Sequence, residues 1–327
     1  MKKRTFISAG RLPGMLLGTA LCTVMLLPAG CSNDNDNEGT DTPADGRVAL
    51  EVTGGIEVNT RAHDAAWDTG DRIGIYMFAA GTIDIAEGAK NIPYTTTADA
   101  GGSFTPAGTA IYYPVDGGNV DFHAWYPYAD VSEAEQNQWT ADLTGQSSQA
   151  ALDLMTADAK SETGEGGTAY NKDNPAVALN FRHRLTKLVL AIKPGNGISS
   201  ADLAGLKVEI TGQPATATYD PQLDAIGTTE TSVPVTLLTS SDGTSAQAIL
   251  FPNDVAGNAP QTGRQLVFTL NATGEVFRWD IPDGKNFKAG EKNLYTITMN
   301  RTPLVVTSTV TDWVDGNGEG GETGSAE

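Results

Sequence analysis

The sequence predicts an all-β fold, and three observations carry that expectation. From Val48 onward, apolar and polar residues alternate in short runs. Clusters of Gly, Pro, Asn and Asp break those runs, and no stretch keeps the 3.6-residue period of an amphipathic helix. About a dozen strand-like segments exceed what one sandwich holds, so two tandem β-sandwiches are expected.

The first segment, residues 48–58, places Val48, Leu50, Val52, Ile56 and Val58 at even positions and Glu51, Thr53, Glu57 and Asn59 at odd ones. One face is apolar and the other wetted, with Gly54-Gly55 offering a bend. Segments 72–78, 110–113, 120–126 and 176–183 follow; in the third of these, Phe122, Ala124 and Tyr126 share one face and His123 and Trp125 the other. Residues 147–172 are a Gly-, Ala- and acid-rich connection, where periodicity leaves a short helix over 152–159 open. Strands are then expected at 185–193, 207–211, 233–238, 246–251, 265–270, 275–281, 293–299 and 304–313. Arg184 is the expected division, giving domains 48–184 and 185–314, and the apolar-poor stretch 315–327 is expected to be a flexible acidic tail.

Composition narrows function. The 327 residues carry 40 acidic and 21 basic side chains, a formal charge of −19, and the densest basic cluster is Lys2, Lys3, Arg4 and Arg11. Binding to nucleic acid is excluded on that balance. Three His and two Cys supply little for metal or nucleophile chemistry, so no enzyme activity, cofactor or metal site is expected. Residues 1–30 read as a secretory leader, with basic residues before a broken apolar stretch that closes on Ala29 and Gly30. The sequence Leu27-Pro28-Ala29-Gly30-Cys31 resembles a bacterial lipobox, which makes Cys31 the lipidated residue of the mature chain. Cys22 lies inside the discarded segment, so no internal disulfide is available. Residues 31–47 are expected to be a disordered acidic tether. Its Asp34-x-Asp36-x-Glu38-Gly39 run departs from a calcium loop at the fifth and last ligands, and no flanking helix supports one.

Further along, Thr60-Arg61-Ala62 is followed by Trp67-Asp68 and Gly70-Asp71-Arg72-Ile73-Gly74-Ile75-Tyr76-Met77. Next come Ile111-Tyr112-Tyr113-Pro114, Val120-Asp121-Phe122-His123-Ala124-Trp125-Tyr126-Pro127-Tyr128, Leu152-Asp153-Leu154-Met155, Phe181-Arg182-His183 and a closing Val310-Thr311-Asp312-Trp313. This ordered series resembles the fimbrillin family, the subunits of type V pili. The resemblance implies two transthyretin-like sandwiches, outer-membrane export as a lipoprotein, and a cut by an Arg-specific protease after the first strand, at Arg61. Arg47 competes for that role, but cutting there removes only tether. Losing the first strand uncovers the sockets of its five apolar residues, roughly 10 kcal/mol of burial. Another fimbrillin subunit would then fill the slot with a donor strand and propagate a head-to-tail polymer. The resemblance places the donor at the carboxyl end, where Leu304, Val306, Val310 and Val314 alternate.

Two other readings stand beside the polymerising pilin. One is a pilus anchor or tip adhesin; the other is a non-polymerising surface lipoprotein that binds a glycan or other surface receptor through Trp67, Trp125, Tyr126, Tyr128, Trp139 and Trp279. Packing inside a sandwich is the favoured account of those aromatics, which strands accommodate readily. His183 is expected at a strand end on the surface, Asp68 and Asp71 in a turn around Gly70, and the Gly316–321 region is not expected to bind phosphate.

Overall fold

The computed structural model describes residues 46–57, 66–97, 102–131, 138–162, 164, 166–227, 233–253, 262–301, 304–312 and 322–326. The leader, nearly all of the tether with Cys31, and Val58, Arg61, Trp313, Val314 and the glycine-rich run at 316–321 lie outside the described residues.

The first strands are β1 (Glu51–Ile56), β2 (Arg72–Ala79), β3 (Ile92–Thr96), β4 (Ser103–Pro106), β5 (Val120–Tyr126), β6 (Trp139–Asp142), β7 (Met155–Ala159) and β8 (Ala176–His183). All except β6 close into a barrel in the order β1-β4-β3-β2-β5-β7-β8. β1 completes the ring, pairing antiparallel with β4 at Val52↔Phe104 and parallel with β8 from Glu51↔Ala176 to Ile56↔Phe181.

The remaining strands are β9 (Thr186–Pro194), β10 (Lys207–Thr211), β11 (Thr216–Asp220), β12 (Ala225–Ile226), β13 (Val235–Thr236), β14 (Leu238–Thr239), β15 (Ser245–Leu250), β16 (Gln265–Thr269), β17 (Val276–Asp280), β18 (Glu291–Met299), β19 (Leu304–Asp312) and β20 (Glu322–Ala326). The sheet β13-β10-β16-β17 and the sheet β14-β15-β9-β18-β19-β20 enclose one core, in which Leu188, Leu190 and Ile297 meet Val208, Ile210 and Phe268. A third sheet, β12-β11-β6, takes β6 from the first half of the chain and β11 and β12 from the second.

That shared sheet explains the two densest apolar runs. β5 is buried at every position and β2 at all but its ends, because each has a core on both faces. Inside the ring lie Ile73, Ile75, Met77, Phe122, Ala124 and Tyr126. Outside it, Tyr76, Phe78 and Trp125 pack against Ala141, Ala217, Tyr219, Ile249 and Phe251. The two faces of 120–126 therefore separate as alternation predicts. A side chain also stitches the halves: Gln146 Nε2 donates to Ile249 O at 3.1 Å, and Ile249 N donates to Gln146 Oε1 at 2.9 Å.

Four local expectations change. Residues 152–159 hold no helix; Met155–Ala159 is β7, a strand between β5 and β8, because the paired ladder and burial of Ala157 and Ala159 outweigh helix propensity. Residues 110–113 make only an isolated bridge at Ala49↔Tyr112, and Pro114, which has no N–H to donate, follows at once. The segment 233–238 splits, β13 pairing with β10 and β14 with β15, so the chain changes sheets around Leu237. Within the tail expected to be loose, Glu322–Ala326 forms β20 and pairs antiparallel with β19. An edge strand accepts such a partner through main-chain groups alone, without apolar side chains.

Candidate functional site

Four of the residues singled out early in the chain, Val48, Leu50, Val52 and Ile56, belong to one feature, the seat of β1. Leu50 and Val52 are each 5 % exposed, and Val48 and Ile56 are half-buried against the ring-interior cluster. Glu51, Thr53 and Gly55 face outward. Alternation read from sequence thus matches the burial, though Gly54-Gly55 makes no bend: the strand runs through it, opposite Leu179 and Asn180 of β8.

Three backbone segments grip the strand besides the two ladders. Leu50 N donates to Ile111 O at 2.9 Å and Tyr113 N to Val48 O at 2.9 Å; Gly54 N donates to Gly102 O at 2.6 Å; Glu51 N donates to Pro175 O at 3.1 Å. Buried tyrosines brace these segments. The Tyr94 hydroxyl accepts from Ile111 N at 3.0 Å, and burial pushes its pKa up to about 12. The Tyr113 hydroxyl, also raised by burial, donates to Pro175 O at 3.1 Å.

Trp67 completes the seat and was legible only as one aromatic among several. It is 4 % exposed, its indole Nε1 donates to Gly54 O at 2.8 Å, and its ring stands edge-on to Phe104, Phe181 and Tyr126 at 5.2, 5.1 and 5.4 Å. The turn beside it is the one expected: Asp71 N donates to Asp68 O at 3.0 Å across Gly70, which has φ +93. Tyr126 donates to Asp71 Oδ1 at 3.2 Å.

At the other end of the chain, Leu304, Val306 and Val310 lie on β19. This strand pairs with β18 from Glu291↔Asp312 to Thr298↔Val305 and with β20 from Leu304↔Ala326 to Ser308↔Glu322. Both of its edges are occupied over part of its length. Arg47, the competing processing residue, is exposed and stands 4.4 Å over the Tyr112 ring.

The aromatic residues considered for a glycan platform are mostly interior. Trp125, Trp67, Trp279 and Tyr126 are 0–7 % exposed, with Tyr128 and Trp139 half-buried. Packing, not stacking on sugar, accounts for them. His183 is likewise no surface residue: its ring is enclosed and its Nδ1 lies 2.9 Å from Asp153 Oδ1. No group of three or more His, Cys, Asp or Glu among the described residues is arranged to hold a metal.

A concavity of about 680 Å³ opens between the halves, lined by Phe78, Ile83, His123, Asp158, Leu223 and Asp224 among others. In its wall His123 Nδ1 lies 2.8 Å from Asp158 Oδ1 and Nε2 3.2 Å from the Tyr219 hydroxyl. Tyr219 donates to Asp224 at 3.0 Å, and Arg184 closes the chain on Asp224 at 2.5 Å. The hydrogen bond from His123 holds the Asp158 carboxyl below its ordinary range against the opposing effect of burial. A carboxyl depressed on folding stabilises the protein above its unfolded value, near 4, and loses that contribution as pH falls through the folded value. Asp158→Asn is therefore expected to lower the urea midpoint at pH 7, the difference from the parent shrinking below pH 4. An equal deficit at pH 7 and pH 3 would remove the ion pair from the account.

The fold is an all-β chain whose first strand closes its first barrel, and comparison with known proteins gives its class. The chain belongs to the fimbrillin-like family, which matches residues 60–313. It is 43 % identical over 315 residues, 94 % of this chain and 97 % of the relative, to a Bacteroides uniformis protein named as fimbrium subunit Fim1C. A crystal structure described as a cell adhesion protein from the same species is 39 % identical with a TM-score of 0.67, covering 82 % of this chain and 100 % of that one. A Bacteroides ovatus protein named as fimbrium tip subunit Fim1C is 27 % identical over 199 residues, 54 % of this chain but only 35 % of the relative. The protein is thus a fimbrial component of the cell surface, structural rather than enzymatic, whose partners are other fimbrial subunits.

Proposed function

We propose that this subunit is exported as an outer-membrane lipoprotein on Cys31 and cut after Arg61 by an Arg-specific protease. Released by that cut, β1 leaves, and the seat takes a donor strand from another fimbrial subunit. The observation that carries this reading is the closure of the barrel by β1 alone, with Leu50 and Val52 buried and a main-chain partner on each side. Arg61 falls in the stretch between Glu57 and Trp67, so a cut there detaches β1 and leaves Trp67 with the body. Division of the chain into 48–184 and 185–314 is part of the same reading, with β8 and β9 in different sheets on either side of Arg184.

We further place the subunit at the filament end, as a tip that accepts a strand and donates none, in contact there with a surface receptor. Its candidate donor strand is kept at home: β19 is hydrogen-bonded to β18 on one side and β20 on the other. The relative named as a tip subunit points the same way. The competing stalk reading needs β19 to leave, so that Leu304, Val306, Val310 and Val314 enter the next molecule.

Cysteines placed at the directly opposed pair Thr296 and Thr307 lock β19 to β18 when oxidised. An end subunit is expected to enter filaments equally in oxidised and reduced form, counted by immunogold electron microscopy. Loss of incorporation on oxidation alone makes it a stalk donor. In parallel, Arg61→Ala is expected to leave the chain full-length, monomeric and absent from filaments.

A further inference from the structure

We infer that the seat of β1 selects an incoming strand by a glycine at the position now held by Gly54, and so excludes this chain's own β19. The inference rests on the acceptor reading above and adds to it the chemistry of the partner: an extended segment with the pattern apolar-x-apolar-x-Gly-x-apolar.

Leu50, Val52, Gly54 and Ile56 occupy successive inward positions of β1. At three of them the interior accommodates a branched aliphatic side chain. At Gly54 the space is already filled, since a Cβ there would lie 2.7 Å from Phe104 Cε2, 3.3 Å from Phe104 Cδ2 and 3.4 Å from Phe181 Cε2. Neither ring has an easy retreat. Phe104 is 4 % exposed and Phe181 fully buried, and Trp67 stands edge-on between them and Tyr126. Gly54 is not among the residues with positive φ, so the position does not need glycine's conformational freedom. Glycine weakens a strand interior, and close approach of other groups is the physical reason to keep one there.

Two further contacts fix the same position. Gly54 N donates to Gly102 O at 2.6 Å, and Gly102 is itself confined: at φ +64, its Cβ would fall 2.4 Å from Gly54 O. From the other side Trp67 Nε1 donates to Gly54 O. Trp67 follows Arg61 in sequence and stays with the body after the cut, so departure of β1 leaves a buried indole N–H without its acceptor. An incoming strand must return a carbonyl to that spot. Gly55, one residue on, serves as the internal control. A Cβ there meets only Asn180 Oδ1, at 3.6 Å, an ordinary contact.

The chain's own β19 fails this test by one residue. Leu304, Val306, Ser308 and Val310 reproduce the spacing of Leu50, Val52, Gly54 and Ile56, with serine at the glycine position. Its Cβ would meet the same ring. The seat therefore rejects β19 of a second copy of this chain through one side chain, a repulsive element of the kind that sets specificity.

The test uses the full chain carrying an inserted protease site within 60–64, cut so that both pieces remain together, and challenged with synthetic peptides in a fluorescence displacement assay. The peptide of residues 48–57 and its Gly55→Ala form are expected to enter within threefold of each other, and the Gly54→Ala form 10- to 100-fold more weakly. A peptide of residues 302–312 is expected to enter poorly and to gain at least tenfold on Ser308→Gly. Phe104→Leu in the body should recover most of the loss of the Gly54→Ala peptide. Equal entry of the Gly54→Ala peptide, or no gain from Ser308→Gly, overturns the selection and leaves the acceptor reading standing. Entry by no peptide at all overturns both.

Discussion

A chain that begins at residue 62, with no strand supplied, is expected to lose the cooperative unfolding of its first half. Full burial of Leu50 and Val52 and partial burial of Val48 and Ile56 together contribute about 5–8 kcal/mol. That is comparable with the whole stability of an ordinary domain. Withdrawal also bares two edges at once, the β4 side and the β8 side of the opened ring, and unpaired edges recruit any available strand. Trimmed protein should therefore bind a dye specific for exposed apolar surface and aggregate at micromolar concentration, and a peptide of residues 48–57 added in excess should restore a sharp urea transition. If trimmed protein is a soluble monomer with the parent's midpoint, β1 is dispensable and the assembly mechanism built on it fails.

How much of this was readable beforehand depends on the number of faces each strand buries. β1 and β8 bury one face, so alternation in Val48, Leu50 and Val52 and in Val177, Leu179 and Phe181 states their orientation outright. β2 and β5 bury both, and their dense apolar runs identify strands without saying what covers the second face. That cover is β6 with β11, short strands that sequence reasoning missed, because four or five residues such as Trp139–Asp142 carry too little pattern. β7 was missed for another reason: Ala157 and Ala159 favour a helix in isolation, and only the ladders from β5 and β8 make them a strand. In the candidate site, the apolar residues of β1 were legible and the role of Gly54 was not. A glycine pair in a strand ordinarily signals a bend, and the rings that crowd Gly54 come from positions 104 and 181, which no local window joins.

Replacing Trp125 by alanine is expected to lower stability by about 3–5 kcal/mol through lost packing, with a further ~1–3 kcal/mol from the polar group it abandons. Trp125 is fully buried on the outer face of β5, with Trp139 of β6 at 6.0 Å and Tyr219 of β11 at 5.8 Å. Its Nε1 donates to Asn91 Oδ1 at 2.9 Å, while Asn91 Nδ2 donates to Ala129 O at 2.9 Å. The space below is closed by Gly74, where a Cβ would lie 2.5 Å from the indole nitrogen, so neighbours cannot shift far to fill the void without backbone movement. Because β6 and β11 come from opposite halves of the chain, this packing contributes to the coupling between the ring and the second sandwich, beside the Gln146 and Arg184 contacts. The parent should unfold in urea as one transition seen alike by fluorescence and far-ultraviolet circular dichroism, and Trp125→Ala as two that no longer coincide. Trp125→Phe keeps an aromatic ring in the seam while losing the indole's hydrogen bond and part of its volume, so it should keep a single transition with a smaller drop. A change under 1 kcal/mol in Trp125→Ala, or a single coincident transition in that variant, would show that the halves are joined elsewhere than at this seam.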